Sequence, residues 1–276
     1  MQGADLQDWP SETAARDVAL LTDTVREAGA LALSMFRTDV RSWTKEGSSP
    51  VSDADLATND LIRSRLQAAT PDYGWLSEET ADDSSRLGKP LVWIVDPIDG
   101  TRSYLAGRDD WCVAAALVAD DTPVVAAVFA PARDEFYVAV RGQGSTLNGA
   151  PLRASTGTGF AGAKLAGPKP LIERLVLPGE ADVQPRIGSL ALRLCQIADQ
   201  RLDIAFAGGQ SHDWDLAAAD LIVHEADGRL STVEGETIVY NRPELTHGVL
   251  VAAGCDRHAE IIAYFRERRQ ARERGA

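Results

Sequence analysis

LVWIVDPIDGT, residues 91–101, is the stretch on which the reading of this chain turns. Five apolar residues run without a polar interruption, as in a short strand buried on both faces. Pro97 fixes φ and denies Asp96 a helical continuation, so the strand is expected to stop at Asp96. Asp96 and Asp99 are three apart, and a tight loop can turn both to one side. The Ile98 carbonyl can point the same way while its side chain enters the core. Gly100 permits close backbone approach. Thr101 can open a helix, whose free N–H groups suit a phosphate.

Helical periodicity is strong upstream. Residues 11–37 read as one long helix, with Ser11 and Thr13 as candidate caps and Val18, Leu21, Val25 and Ala28 on one stripe. Gly47 to Pro50 read as a loop. Residues 53–69 read as a second helix, with Asp53 as its candidate cap and Pro71 beyond its end. Downstream, residues 112–118, 123–130 and 135–140 read as strands at hairpin spacing, and Asn148-Gly149 is a turn signal. A second region starts near Thr156. Strands are expected at 164–166, 202–207, 228–232 and 249–253, with helices at 190–198, 214–225 and from Asp256 onward. The pattern predicts a layered α/β protein. An N-terminal lobe, 1–155, and a C-terminal lobe, 156–276, are expected to form one structural unit.

Acidic residues gather at four predicted turns: Asp53 and Asp55, Glu78 and Glu79, Asp96 and Asp99, Asp213 and Asp215. Carboxylates held at one locus repel each other unless a cation joins them. An oxygen-rich set without Cys favours a hard cation, Mg²⁺ or Mn²⁺. Asp53 and Asp213, taken singly, read as helix caps. The four histidines are scattered and read as surface or core residues. No Ser/His/Asp arrangement is supported.

Composition narrows the function classes. With 28 Lys and Arg against 41 Asp and Glu, the net charge is −13. Neither a nucleic-acid backbone nor an anionic membrane suits such a chain. No apolar run has the length of a membrane span, and the acidic first residues carry no secretory h-region. Cys112, Cys195 and Cys255 are far apart in apolar stretches and read as buried thiols, so a cytoplasmic protein is expected.

The order PVSDAD, Glu78-Glu79, DPIDGT and then Trp214-Asp215 before a small-residue helix resembles the lithium-sensitive, Mg²⁺-dependent phosphatases of the inositol monophosphatase superfamily. The resemblance implies an αβαβα sandwich. It implies up to three Mg²⁺ on Glu78, Asp96, the Ile98 carbonyl, Asp99 and Asp215, with Asp55 and Glu79 supporting the metal shell. Thr101 is then expected to orient the attacking water, and the Gly100 and Thr101 backbone to bind phosphate. Lys45 matches a lysine near a mobile loop, and relatives are often homodimers.

Within the family, DGTRSYLAGRDDW and FAGGQSHDWD look closest to bacterial 3′(2′),5′-bisphosphate nucleotidases of the CysQ type, which act on 3′-phosphoadenosine 5′-phosphate in sulfate assimilation. Gly208 and Gly209 replace the acid that inositol-specific members carry. They are expected to open a flat surface for a nucleoside. Arg102, Arg108 and Arg186 are candidates for a second phosphate, and Gly188 and Ser189 can offer N–H groups to an anion. The alternatives are an inositol-1-phosphate, other polyol or histidinol monophosphatase, and a non-catalytic metal- or phosphate-binding protein.

Overall fold

The computed structural model describes residues 11–44 and 50–275. In chain order it contains α1 (Ser11–Met35), β1 (Ser42–Thr44), β2 (Pro50–Ser52), α2 (Asp53–Ala69), β3 (Gly74–Ser77), β4 (Leu91–Asp99), α3 (Thr101–Leu105), β5 (Cys112–Ala119), β6 (Thr122–Ala130) and β7 (Glu135–Val140). There follow β8 (Gly144–Leu147), β9 (Ala150–Pro151), β10 (Lys164–Ala166), α4 (Lys169–Ile172), β11 (Asp182–Val183), α5 (Leu190–Ala198), β12 (Ile204–Ala207) and β13 (Ser211–His212). Last come α6 (Asp213–His224), β14 (Gly228–Thr232), β15 (Thr246–His247), β16 (Leu250–Gly254) and α7 (Cys255–Gly275).

The strands form two principal sheets, one of seven strands running β3 to β9 in order, the other ordered β11-β10-β12-β16-β14. Strand alternation explains how they stack, since successive side chains leave opposite faces. From β4 and β5, Trp93, Val95, Val113, Ala115 and Leu117 meet Leu21, Val25, Ile62 and Leu66 of α1 and α2. Val92, Ile94, Ala114 and Ala116 leave the other face and meet α5 and α6, and the same core continues into Ala205, Ala207, Leu250 and Ala252 of the smaller sheet. The far face of that sheet, with Ile204, Phe206, Val251 and Ala253, packs on Ile261 and Ile262 of α7. The layers therefore run α, β, α, β, α, as the resemblance implied.

β4 departs from expectation. It does not stop at Asp96 but runs through Pro97 to Asp99. Asp96 lies opposite Ala114 and Asp99 opposite Cys112, so three steps on β4 face two on β5. This bulge accommodates Pro97 and re-aims the strand end, a common function of bulges beside sites. The sequence reading also missed β3, and it took Cys255 as buried although it is exposed. Among the described residues, no helix is long and apolar enough to cross a membrane.

Candidate active site

A cleft of about 440 Å³ opens where β3, β4 and α6 end and begin, and Glu78, Asp96, Ile98, Asp99, Thr101 and Asp215 are among the residues lining it. β3 runs parallel to β4 with Ser77 beside Val95, and the Glu78 amide donates to the Val95 carbonyl at 3.3 Å. Glu78 thereby follows its strand to the level of Asp96. Asp215 arrives from the other half of the chain, in the first turn of α6, where its Oδ2 accepts from the His212 amide at 2.6 Å. Carboxylate oxygens of Asp96, Asp99 and Asp215 all lie within 4.8 Å of one another.

Such crowding shows in the acidities. The Asp96 carboxyl sits well above the usual carboxylate range, first because it is buried and then because Glu78, Asp99, Asp215 and Asp55 face it. Burial, with Asp215 next, raises Asp99 to about 6, against hydrogen bonds that favour its ionised form. Those bonds come from the Ser189 hydroxyl at 2.5 Å and the Ala191 amide at 2.6 Å. Three acids at one point, two of them buried, have the oxygen-donor chemistry of a site for a hard divalent cation.

Behind the cluster, Thr101 Oγ1 is 3.0 Å from both Asp55 Oδ1 and the Ile98 carbonyl oxygen. Asp55 is itself fixed, since its Oδ2 accepts from the Ser52 amide at 2.8 Å and the Ser52 hydroxyl at 2.5 Å. Ser52 is the N-cap of α2 and Asp55 its third residue, so the cap expected at Asp53 belongs one residue earlier. The S-x-x-D spacing carried that signal. Glu79, next to Glu78, is not among the residues lining the cleft. Lys45 lies outside the described residues.

Gly100 has φ +94°, and a β-carbon there would stand 3.1 Å from the Asp110 carbonyl oxygen and the Ser189 amide nitrogen. The glycine is thus required by a left-handed turn wedged against the start of α5. Several substrate contacts expected from the sequence have other occupations. Gly188 lines the cleft, but its amide donates to Asp110 Oδ2 at 2.6 Å, and the Ser189 amide to the Asp110 carbonyl at 3.1 Å. Ser189 caps α5 and is fully buried against Asp99 and Cys112. Their N–H groups are therefore not open to an anion. Arg108 is clamped onto Asp110, with bonds of 3.0 and 2.8 Å, and onto Ser103 at 2.6 Å. Arg102 and Arg186 remain at the cleft wall, both exposed.

Gly208 and Gly209 do not line this cleft, whose wall on that side is Gln210, His212 and Trp214. The flat nucleoside surface expected there is absent from it. His212 and Trp214 instead stack with ring centroids 4.6 Å apart and planes 4° from parallel. The Asp215 hydrogen bond raises the basicity of His212. The sequence reading took His212 as a surface or core residue, and with His in place of the Ser or Thr of a capping box no sequence signal marked its place at the N-cap of α6. Asp213 is not a cap. It is buried in the first turn of α6, accepting from the Asn241 amide at 2.7 Å and pairing with His247 at 2.6 Å.

A five-layered α/β body with a buried carboxylate cleft at its strand ends defines a narrow class, and comparison assigns the chain within it. The model of the inositol monophosphatase family matches residues 16–270, and the chain belongs to that family. It is 36% identical over 211 residues to the histidinol-phosphatase of Mycobacterium tuberculosis, covering 71% of this chain and 79% of that protein. It is 37% identical over 196 residues to the inositol-1-monophosphatase of Rhizobium meliloti, covering 67% and 73%. Nus factor SuhB of Pasteurella multocida is 31% identical over 228 residues, covering 79% and 82%. A Thermotoga maritima IMPase shares the fold, with TM-score 0.78, 23% identity and coverage of 91% and 97%. None of these bears a bisphosphate-nucleotidase name, so the narrower resemblance drawn from the sequence is not supported by them.

Proposed function

We propose that the protein is a Mg²⁺-dependent phosphatase of small hydroxylated monophosphates, of the inositol-1-phosphate or histidinol-phosphate kind. The gathering of Asp96, Asp99 and Asp215 within 4.8 Å, beside the Thr101–Asp55 pair, carries this reading. The nucleotidase reading loses its main support with the two glycines outside the cleft. Identities above 30% to a histidinol-phosphatase and an inositol-1-monophosphatase favour the smaller substrates.

Glu78, Asp96, the Ile98 carbonyl, Asp99 and Asp215 would hold Mg²⁺, whose chemistry is to lower the pKa of bound water and neutralise charge on the phosphoryl oxygens. The chain itself supplies position. One hydroxyl proton serves one acceptor at a time. When Thr101 donates to Asp55, its oxygen lone pair faces the cleft and can take a hydrogen bond from a water between it and Glu78. Asp55, immobilised by Ser52, keeps Thr101 in that rotamer. Arg102 and Arg186 offer positive charge to an anionic substrate at the mouth.

Phosphate release from inositol-1-phosphate, histidinol phosphate and 3′-phosphoadenosine 5′-phosphate, with Mg²⁺ and with EDTA, tests the proposal. Mg²⁺-dependent turnover with kcat/KM highest for one of the first two is expected. Preference for the third by tenfold or more would restore the nucleotidase reading. Turnover of none would leave a binding protein.

A further inference from the structure

A second cavity, of about 610 Å³, lies at the opposite end of α6 from the cleft, lined among others by Arg141, Asp220, His224, Arg229, Ser231 and His258. α6 has 12 residues, so roughly 17 Å of helix separates its two ends at 1.5 Å per residue. The two sites are therefore distinct.

The charges around this cavity are unusual for a chain of net charge −13. Arg141 donates through Nε to the Pro123 carbonyl at 2.9 Å, and its two terminal nitrogens form no other bond among the described residues. Among the described residues the Arg229 guanidinium forms one hydrogen bond, to the Nδ1 of His224. Among the described residues neither arginine has a carboxylate within salt-bridge distance. The acid facing them, Asp220, is engaged with the Tyr240 hydroxyl, which donates to it at 2.8 Å. Ser231 gives its hydroxyl proton to the Thr232 carbonyl at 2.7 Å, so its oxygen accepts from His258 Nε2 at 2.9 Å. The Nε2–H of His258 is thus engaged within the protein. Burial first, and Arg229 second, hold both histidines below their ordinary basicity, and Arg141 adds to this at His224.

From this geometry we infer a binding site for a small phosphate-bearing anion at the C-terminal end of α6. Two guanidinium forks without carboxylate partners match the paired oxygens of a phosphate group. His224 Nε2 adds a donor, and its Nδ1 is oriented by Arg229. The walls supplied by Leu221, Leu230 and Ile238 limit the ligand to a small one. Free phosphate and a phosphate ester of a small metabolite share this chemistry.

Thermal unfolding of the metal-free protein in EDTA isolates the site, because the bare carboxylates of the catalytic cleft repel phosphate. Inorganic phosphate or glycerol 2-phosphate at millimolar concentration should raise the unfolding midpoint by about 2–5 °C. Whichever raises it more identifies the source. The Arg141→Gln/Arg229→Gln variant should lose the rise, and Arg186→Gln, at the catalytic cleft, should keep it. If the double variant does not fold, histidine NMR of the wild type decides. Phosphate should move the ring resonances of His224 and His258 and raise the pH at which His224 titrates. No midpoint rise with either anion overturns the inference. So does an undiminished rise in the double variant, or movement confined to His212 and His247.

Discussion

Asp96 is the residue on which the catalytic cleft converges, buried with four other acids contributing to its field. Replacement by asparagine keeps its shape and removes one of the charges that would hold a divalent cation. Asp96→Asn is therefore expected to lose at least about 100-fold in Mg²⁺-dependent kcat, on the scale of removing one electrostatic stabiliser. Its midpoint in EDTA should match or exceed that of the wild type, because a repelled charge has gone. Near-normal kcat with ordinary Mg²⁺ dependence would remove Asp96 from the metal site. Individual residues of this kind were legible because chemistry restricts them. DPIDGT announces an acid pair, a turn and a helix start within six letters. Asp110 was not legible. It clamps Arg108, Gly188 and Ser189 at once, and nothing in RDDW tells which of its two acids turns inward.

Elements position those residues, and α5 shows how. Its N-terminus abuts β4 through Asp99 Oδ2, which accepts from Ser189 Oγ and the Ala191 amide, while Ser189 Oγ accepts from the Leu192 amide at 2.9 Å. One hydroxyl thus caps a helix and orients a candidate metal ligand. Ser189→Ala removes both functions, and a lost cap plus a buried hydrogen bond costs about 1–3 kcal/mol. Urea unfolding should report that loss, with weaker Mg²⁺ affinity by calorimetry. Unchanged stability would show that Asp99 holds its position without the cap. The long helices and the strands from β5 to β7 could be read directly, since each has enough turns or alternations for its period to appear. β3 could not. GWLS is four residues, too short for a period, and it becomes a strand only because β4 offers it a parallel edge. The extension of β4 past Pro97 was hidden for a related reason. A proline is tolerated where a bulge leaves its position unpaired, and the bulge belongs to β5 as much as to β4.

At the scale of the whole molecule, two sheets and three helical layers bring carboxylates separated by more than a hundred residues to one point, and folding without a cation must bear their repulsion. The consequence is a pH dependence that metal inverts. Asp99 titrates at about 6 in the folded protein against 3.8 ordinarily, and Asp96 is raised as well. The folded state therefore binds protons more tightly than the unfolded chain, so stability falls as pH rises through this range. In EDTA the unfolding midpoint should rise by a few degrees as pH is lowered from 7 to 5. With saturating Mg²⁺ the carboxylates must be ionised to bind the cation, so the metal-dependent gain should grow from pH 5 to 7. Other groups titrate nearby. Burial also lifts Asp220 to about 6, with the same sign as Asp99, whereas burial depresses His258 to about 4, with the opposite sign. Neither belongs to the cleft, so both act equally with and without metal. His212, whose basicity Asp215 raises, does belong to the cleft, so the comparison is made in His212→Gln, where the difference between the Mg²⁺ and EDTA curves isolates the acidic cluster. A difference independent of pH between 5 and 7 would mean that Asp96 and Asp99 are not the groups a cation must deprotonate.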